Sequence, residues 1–169
     1  TEKIWAIGSI HSNLVSFNSI KDFILKNFKN NDKLIFLGNI IGLGNNSKET
    51  LSSVIDLRFN LMSKFKLKPN SIIFLRGAQE EMFSKLLQLQ LAPNPTEILE
   101  WMFDHGVNKT IKSYGFSENE VKSQPKTFDS CISSNPPNTE VYIILWFISN
   151  FLLLQNYVLI LIVFVPHIH

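Results

Sequence analysis

Three short apolar runs, each closed by a glycine and each followed by a stretch with helical spacing, constrain this chain more than any other feature. Ile4 to Ile7 ends at Gly8, Lys33 to Leu37 at Gly38, and Ser71 to Leu75 gives way to Gly77. Apolar runs of this length bounded by turn residues read as buried strands. Between the first two, Leu14, Phe17, Ile20, Ile24 and Phe28 recur on one helical face, with Lys21, Asp22, Lys26 and Lys29 around the rest of the turn. Asn46 followed by Glu49 is a capping-box pattern that opens a helix through Leu51, Val54, Ile55 and Leu61. Strand, helix, strand, helix, strand predicts parallel βαβ units and therefore an α/β fold.

After the third run the pattern turns helical. Glu80 to Leu91 predicts one helix, and Asn94-Pro95-Thr96-Glu97 opens another that runs to about Gly106. Ser117-Glu118-Asn119-Glu120 caps a short helix before Pro125. Residues 123 to 139, with Pro125, Pro136 and Pro137, form a polar loop, and 1–169 reads as one domain.

Composition excludes several classes of function. Hydrophobic residues make up 45% and charged residues 18%, which argues against disorder. A formal charge of +2 gives no basis for a nucleic-acid partner, and Lys64, Lys66 and Lys68, alternating with Phe65 and Leu67, read as a solvated edge. The single cysteine, Cys131, allows no internal disulfide and fits a reducing compartment. With no signal peptide legible after Thr1, the expected location is cytoplasmic. From Val141 to Val165 no residue is charged, which is long enough to cross a bilayer. Ser149, Asn150, Gln155 and Asn156 interrupt that stretch, so it reads as a buried helix to about Leu154 and a strand from Tyr157, with a membrane association through 141–165 as the alternative.

In a parallel sheet the loops leaving the carboxyl ends of the strands meet at one crevice, where sites are built. Here they are Gly8-Ser9-Ile10-His11-Ser12, Gly38-Asn39-Ile40-Ile41-Gly42-Leu43-Gly44 and Gly77-Ala78-Gln79-Glu80. In order and spacing these loops resemble the three signature motifs of the calcineurin-like metallophosphoesterases, G-D-x-H-G, G-D-x-x-D-R-G and G-N-H-E. Leu37-Gly38, Ser47-Lys48-Glu49 and Phe74-Leu75-Arg76-Gly77 extend the likeness. So do Trp101 and Thr110 to Gly115, which look like bacterial serine/threonine protein phosphatases and diadenosine tetraphosphatases, and Tyr157 to Pro166, which is similar to a late strand of the family. The resemblance covers nearly the whole chain. It implies a metallophosphoesterase-like α/β sandwich, incomplete on its C-terminal side, and hydrolysis of phosphate esters with two divalent metals (manganese, iron or zinc).

Set against the family pattern, this sequence lacks most of the residues that the chemistry needs. The first-motif aspartate is Ser9, while His11 is retained; the bridging aspartate is Asn39 and the third-motif asparagine is Ala78. The histidine that helps protonate the leaving group is Gln79, and the phosphate-gripping arginine is Leu43, preceded by Gly42. A later ligand histidine falls on Leu161, followed by Ile162 and Val163; a final one lies beyond the end of the chain, and His167 and His169 are out of register. The implied protein is a pseudophosphatase with metals absent or weakly bound, whose partner is a phosphorylated protein or a second copy of itself. The alternatives are a weakly active phosphoesterase with one metal at His11 and Asn39, and a membrane-tethered interaction domain.

Plainer readings stand beside these. His11 reads as a hydrogen-bonded residue at a strand end, and Glu80 as an acid favoured at any helix N-terminus. His105, before Gly106, reads as a helix-end histidine. Gly38, Gly42 and Gly44 lack the Gly-Lys-Ser/Thr that a phosphate loop requires.

Overall fold

Alternating apolar runs and amphipathic stretches produce the expected order of elements. The computed structural model describes residues 2–86 and 88–123. Three strands, β1 (Ile4–Ile7), β2 (Lys33–Phe36) and β3 (Ile72–Phe74), make one parallel sheet with β2 in the centre. Trp5 pairs with Leu34 and Ile7 with Phe36; Leu34 pairs in turn with Ile72, and Phe36 with Phe74. Helix α1 (Leu14–Asn27) links β1 to β2, and α2 (Ser47–Phe65) links β2 to β3. Beyond β3 come α3 (Ala78–Leu86), α4 (Pro95–Asp104), α5 (Val107–Ser113) and α6 (Glu118–Ser123). The described residues are thus α/β, with a small parallel sheet followed by helices.

Strand alternation divides the sheet into two unlike faces. One face carries Ile7, Leu34, Phe36, Ile72 and Phe74, all buried. They share a core with Phe17 and Ile24 of α1 and Leu51, Val54, Leu57 and Leu61 of α2. Phe36 lies flat against Phe74 with ring centroids 4.7 Å apart, and Phe17 packs on Phe36 at 6.4 Å. Each such side chain contributes roughly 1.5–3 kcal/mol when removed from water. The other face carries Ile4, Ala6, Ile35 and Ile73. Leu37 and Leu75 continue the alternation past the strand ends, because Leu37 N donates to Ile7 O and Leu75 N to Phe36 O. On this side Ile4 is 65% exposed, Leu37 49% and Leu75 41%.

Several boundaries differ from the expectation. Asn46 stands at the N-cap of α2 but its side chain makes no capping bond, and Ser47 instead turns its hydroxyl into the interior. The helix expected over Glu80 to Leu91 stops at Leu86, and Leu89 to Leu91 form a tight 3-10 turn that brings Leu89 into the core. The helix expected to reach Gly106 ends at Asp104, because Gly106 adopts a left-handed φ of +102° and starts α5. Ser117 and Glu120 do form a reciprocal cap: Glu120 N donates to Ser117 Oγ at 3.2 Å and Ser117 N to Glu120 Oε2 at 2.8 Å. Lys64, Lys66 and Lys68 are exposed, as their alternation predicts: Lys64 lies in the last turn of α2, Lys66 caps it, and Lys68 opens the tight turn Pro69–Ser71 that leads into β3.

Ser123, placed in the polar loop from its sequence, ends α6. The remainder of that loop, Cys131, the stretch Val141–Val165, Leu161, His167 and His169 lie outside the described residues. Among the described residues no helix is long and apolar enough to cross a membrane.

Candidate functional site

Parallel pairing brings the ends of β1, β2 and β3 level, so the three loops that follow are pressed together. Ile10 N and His11 N both donate to Asn39 O, at 2.9 and 2.8 Å, and Ser12 N donates to Ile40 O at 2.8 Å. A Cβ on Gly38 would collide with the backbone of Gly77, and one on Gly77 with Asn39. Gly38 also has a φ of +91°, so glycine is required there twice over. Of the five non-glycine residues with positive φ among those described, His11, Ser12, Asn39 and Leu43 all lie in these loops. Backbone strain concentrates where a fold holds side chains in a fixed arrangement, functional sites included.

Glu80 organises the junction. Its carboxylate is buried at 1% exposure and accepts from the backbone N–H of Asn39 (2.8 Å), Ile40 (2.7 Å), Ile41 (3.3 Å) and Gly77 (2.9 Å). One side chain thereby satisfies both its own charge and the donors of two turns. Helical spacing explained Glu80 as a first-turn acid of α3, which it is, but gave no sign of this long-range role. Neighbouring Glu81 faces outward, and the Arg76 guanidinium, 2.8 Å from its Oε2, holds its carboxyl below the ordinary value.

The positions singled out by the motifs fall as follows. Ser9, His11, Asn39, Ala78 and Gln79 come together at the strand ends, while Leu161 lies outside the described residues. Asn39 Oδ1 accepts from Gln79 N at 3.1 Å and Asn39 Nδ2 donates to Ser9 Oγ at 3.3 Å. Gln79 is buried beside Gly42 and donates from Nε2 to His105 O at 3.0 Å, whereas its Oε1 has no partner. The reading of His11 as a fully hydrogen-bonded residue is not met: its Nδ1 is buried without a partner. Ala78 and Leu43 are exposed and bring no polar side-chain atom.

The α4–α5 turn packs against the junction of these loops. His105 Nδ1 lies 2.7 Å from Trp101 O, and the two rings stack at 4.2 Å, which fits the helix-end reading of this histidine. A Cβ on Gly106 would sit 2.8 Å from Leu43 N, so that turn abuts the second loop. From α5, Lys109 Nζ donates to Leu43 O at 2.7 Å, which places an exposed cation at the rim. A buried hydroxyl chain links the first loop to α2 and α5: Ser12 Oγ and Ser47 Oγ are 2.6 Å apart, and Ser47 Oγ and Thr110 Oγ1 3.1 Å apart. Neither Lys109 nor this chain was legible beforehand, because both depend on residues more than thirty positions apart.

Comparisons with protein-family profiles, with curated proteins and with solved structures find no match. A functional reading therefore rests on the crevice itself and on the motif resemblance. Among the described residues no group of three or more His, Cys, Asp or Glu side chains stands together as a metal site.

Proposed function

We propose that this chain is a pseudophosphatase. It is a catalytically inactive protein on a metallophosphoesterase-like α/β sandwich, of which β1 to β3 and their helices form one side. Its remaining role is to hold a phosphorylated partner in the cytoplasm. The observation that carries the reading is the fate of the side chains at the ligand positions. Asn39 donates to Ser9 Oγ and accepts from the Gln79 backbone N–H, and the Gln79 side chain donates to His105 O, so neutral hydrogen bonds engage all three side chains. Two divalent cations a few ångströms apart repel and need anionic ligands to offset them. The one carboxylate at this junction, Glu80, is committed to four backbone N–H groups. The residues present therefore do not fit a pair of metal ions. Nor can the Gln79 amide protonate a leaving group.

Leu43 replaces the arginine that would grip phosphate, yet Lys109 Nζ is bonded to the Leu43 carbonyl and supplies a positive charge at the same rim. A phosphopeptide is expected to bind through this ammonium, and Lys109→Ala to weaken it by up to about fivefold, as for an exposed charge pair. The test of the whole reading is hydrolysis of an aryl phosphate and of a dinucleoside polyphosphate with manganese present. No turnover above buffer is expected. Metal-dependent turnover that disappears in His11→Ala would overturn it.

A second reading, a weakly active phosphoesterase with one metal at His11 and Asn39, has one observation in its favour. His11 Nδ1 is buried without a hydrogen-bond partner and is thus free to act as a ligand. Metal analysis of the purified chain separates the two, since the second requires about one bound ion per molecule that His11→Ala removes.

A further inference from the structure

Parallel sheets are covered on both faces, because their crossover helices and loops leave neither side in water. In this sheet α1 and α2 account for one face only. The other is apolar at every alternate position from Ile4 and Ala6 through Ile35 and Leu37 to Ile73 and Leu75, with Lys33 at its lower rim. Lys33 is tied there to Glu2 at 2.9 Å, which marks where the apolar surface stops. Contiguous apolar patches of this kind are rare on monomers unless something docks on them.

We propose that this second face is a docking surface, and that its occupant is the uncharged stretch Val141–Val165 of the same chain. The chemistry matches: that stretch has no charged residue and is rich in Ile, Leu, Val and Phe. Nowhere else does this sequence run so long without a charge. The reach is sufficient as well. Residues 124–140 lead from α6 to it and span on the order of 50 Å when extended, against a radius of gyration of about 14 Å for a folded unit of this size. An intramolecular occupant is also present at an effective concentration that a separate partner must match by affinity. Chain continuity thus favours this stretch over a second copy.

The proposal is independent of phosphate binding and is tested by proximity. A photoreactive benzoylphenylalanine is placed at Leu37 in the full chain, with Leu75 as a second site should the first variant not accumulate. Cells are irradiated and the protein is purified under denaturing conditions. Most adducts are expected to be monomer-sized and to map by mass spectrometry to peptides within 141–165. The same probe at Phe59, on the solvent side of α2, should give few of them. Dimer-sized adducts would assign the face to a second copy, lipid adducts would assign it to a membrane, and monomer-sized adducts elsewhere would place another segment on it. Each of these overturns the proposal, as does equal labelling from Phe59.

Discussion

Glu80 ties the loops that follow β2 and β3 together through hydrogen bonds that no local pattern announces. In Glu80→Gln one acceptor oxygen becomes an NH2 group facing backbone N–H donors; each oxygen accepts two of the four bonds, so two are lost and repulsive contacts replace them. The expected cost is about 2–4 kcal/mol, the range for breaking a buried charge-assisted network, and the denaturant midpoint should fall with an unchanged m-value. The positions matched to the metallophosphoesterase motifs invite the opposite experiment. Ser9→Asp, Asn39→Asp, Ala78→Asn and Gln79→His together place two carboxylates and an imidazole beside His11. Titration calorimetry should then show manganese binding in the quadruple variant and little in the parent. Catalysis should lag behind, since Leu43 and Leu161 are unchanged, and a missing preorganised donor costs on the order of a hundredfold in rate. Tight binding of two ions by the parent would refute the assignment of Ser9 and Asn39 as replaced ligands. At this scale the sequence made the meeting of Ser9, His11, Asn39 and Gln79 legible, because glycines mark where each strand ends. It did not reveal that Asn39 spends its amide on Gln79 N and Ser9 Oγ while the Gln79 amide donates to His105 O, which depends on side-chain orientation.

Among the elements, the turn between α1 and β2 is held by one buried acid. Asp32 accepts from Trp5 Nε1 at 2.9 Å and from Lys3 N and Lys29 N at 3.1 Å, so it fastens this turn to the start of β1. Burial works to raise its pKa, but the bonds from Trp5, Lys3 and Lys29 outweigh it and hold the carboxyl below its ordinary value of 3.8. The unfolded chain then takes up the proton first. The stability contributed by Asp32 is complete above about pH 4 and is lost as pH falls through the lower, folded value. Glu81 beside Arg76 and Glu118 beside Lys112 act with the same sign. Asp32→Asn should therefore be less stable than the parent at pH 7 and converge on it in acid, as thermal melts across pH 2–7 would show. Helices α1 and α2 were legible because their apolar positions repeat over many turns. The break between α4 and α5 was not, since it depends on Gly106 meeting Leu43 across the fold. A glycine after a histidine looks the same in sequence whether the chain stops or turns into another helix.

For the molecule as a whole, β2 is the element with a strand on either side and α1 and α2 beneath it. Amides that open only on global unfolding should lie there, so Leu34, Ile35 and Phe36 are expected to exchange hydrogen most slowly, and α6 much faster. Comparable rates in the two would mean that the sheet is not the stable centre. The order of the strands has a further consequence, for synthesis. β2 and β3 each pair with the strand made just before them, so no pairing waits for a strand from a distant part of the chain. The aromatic core beneath β2 can close in the order of translation. Under the docking proposed for Val141–Val165, the opposite face of the sheet stands uncovered while residues 124–165 are added, roughly 2–8 s at ordinary elongation rates. During that interval a nascent-chain chaperone has a defined surface to shield.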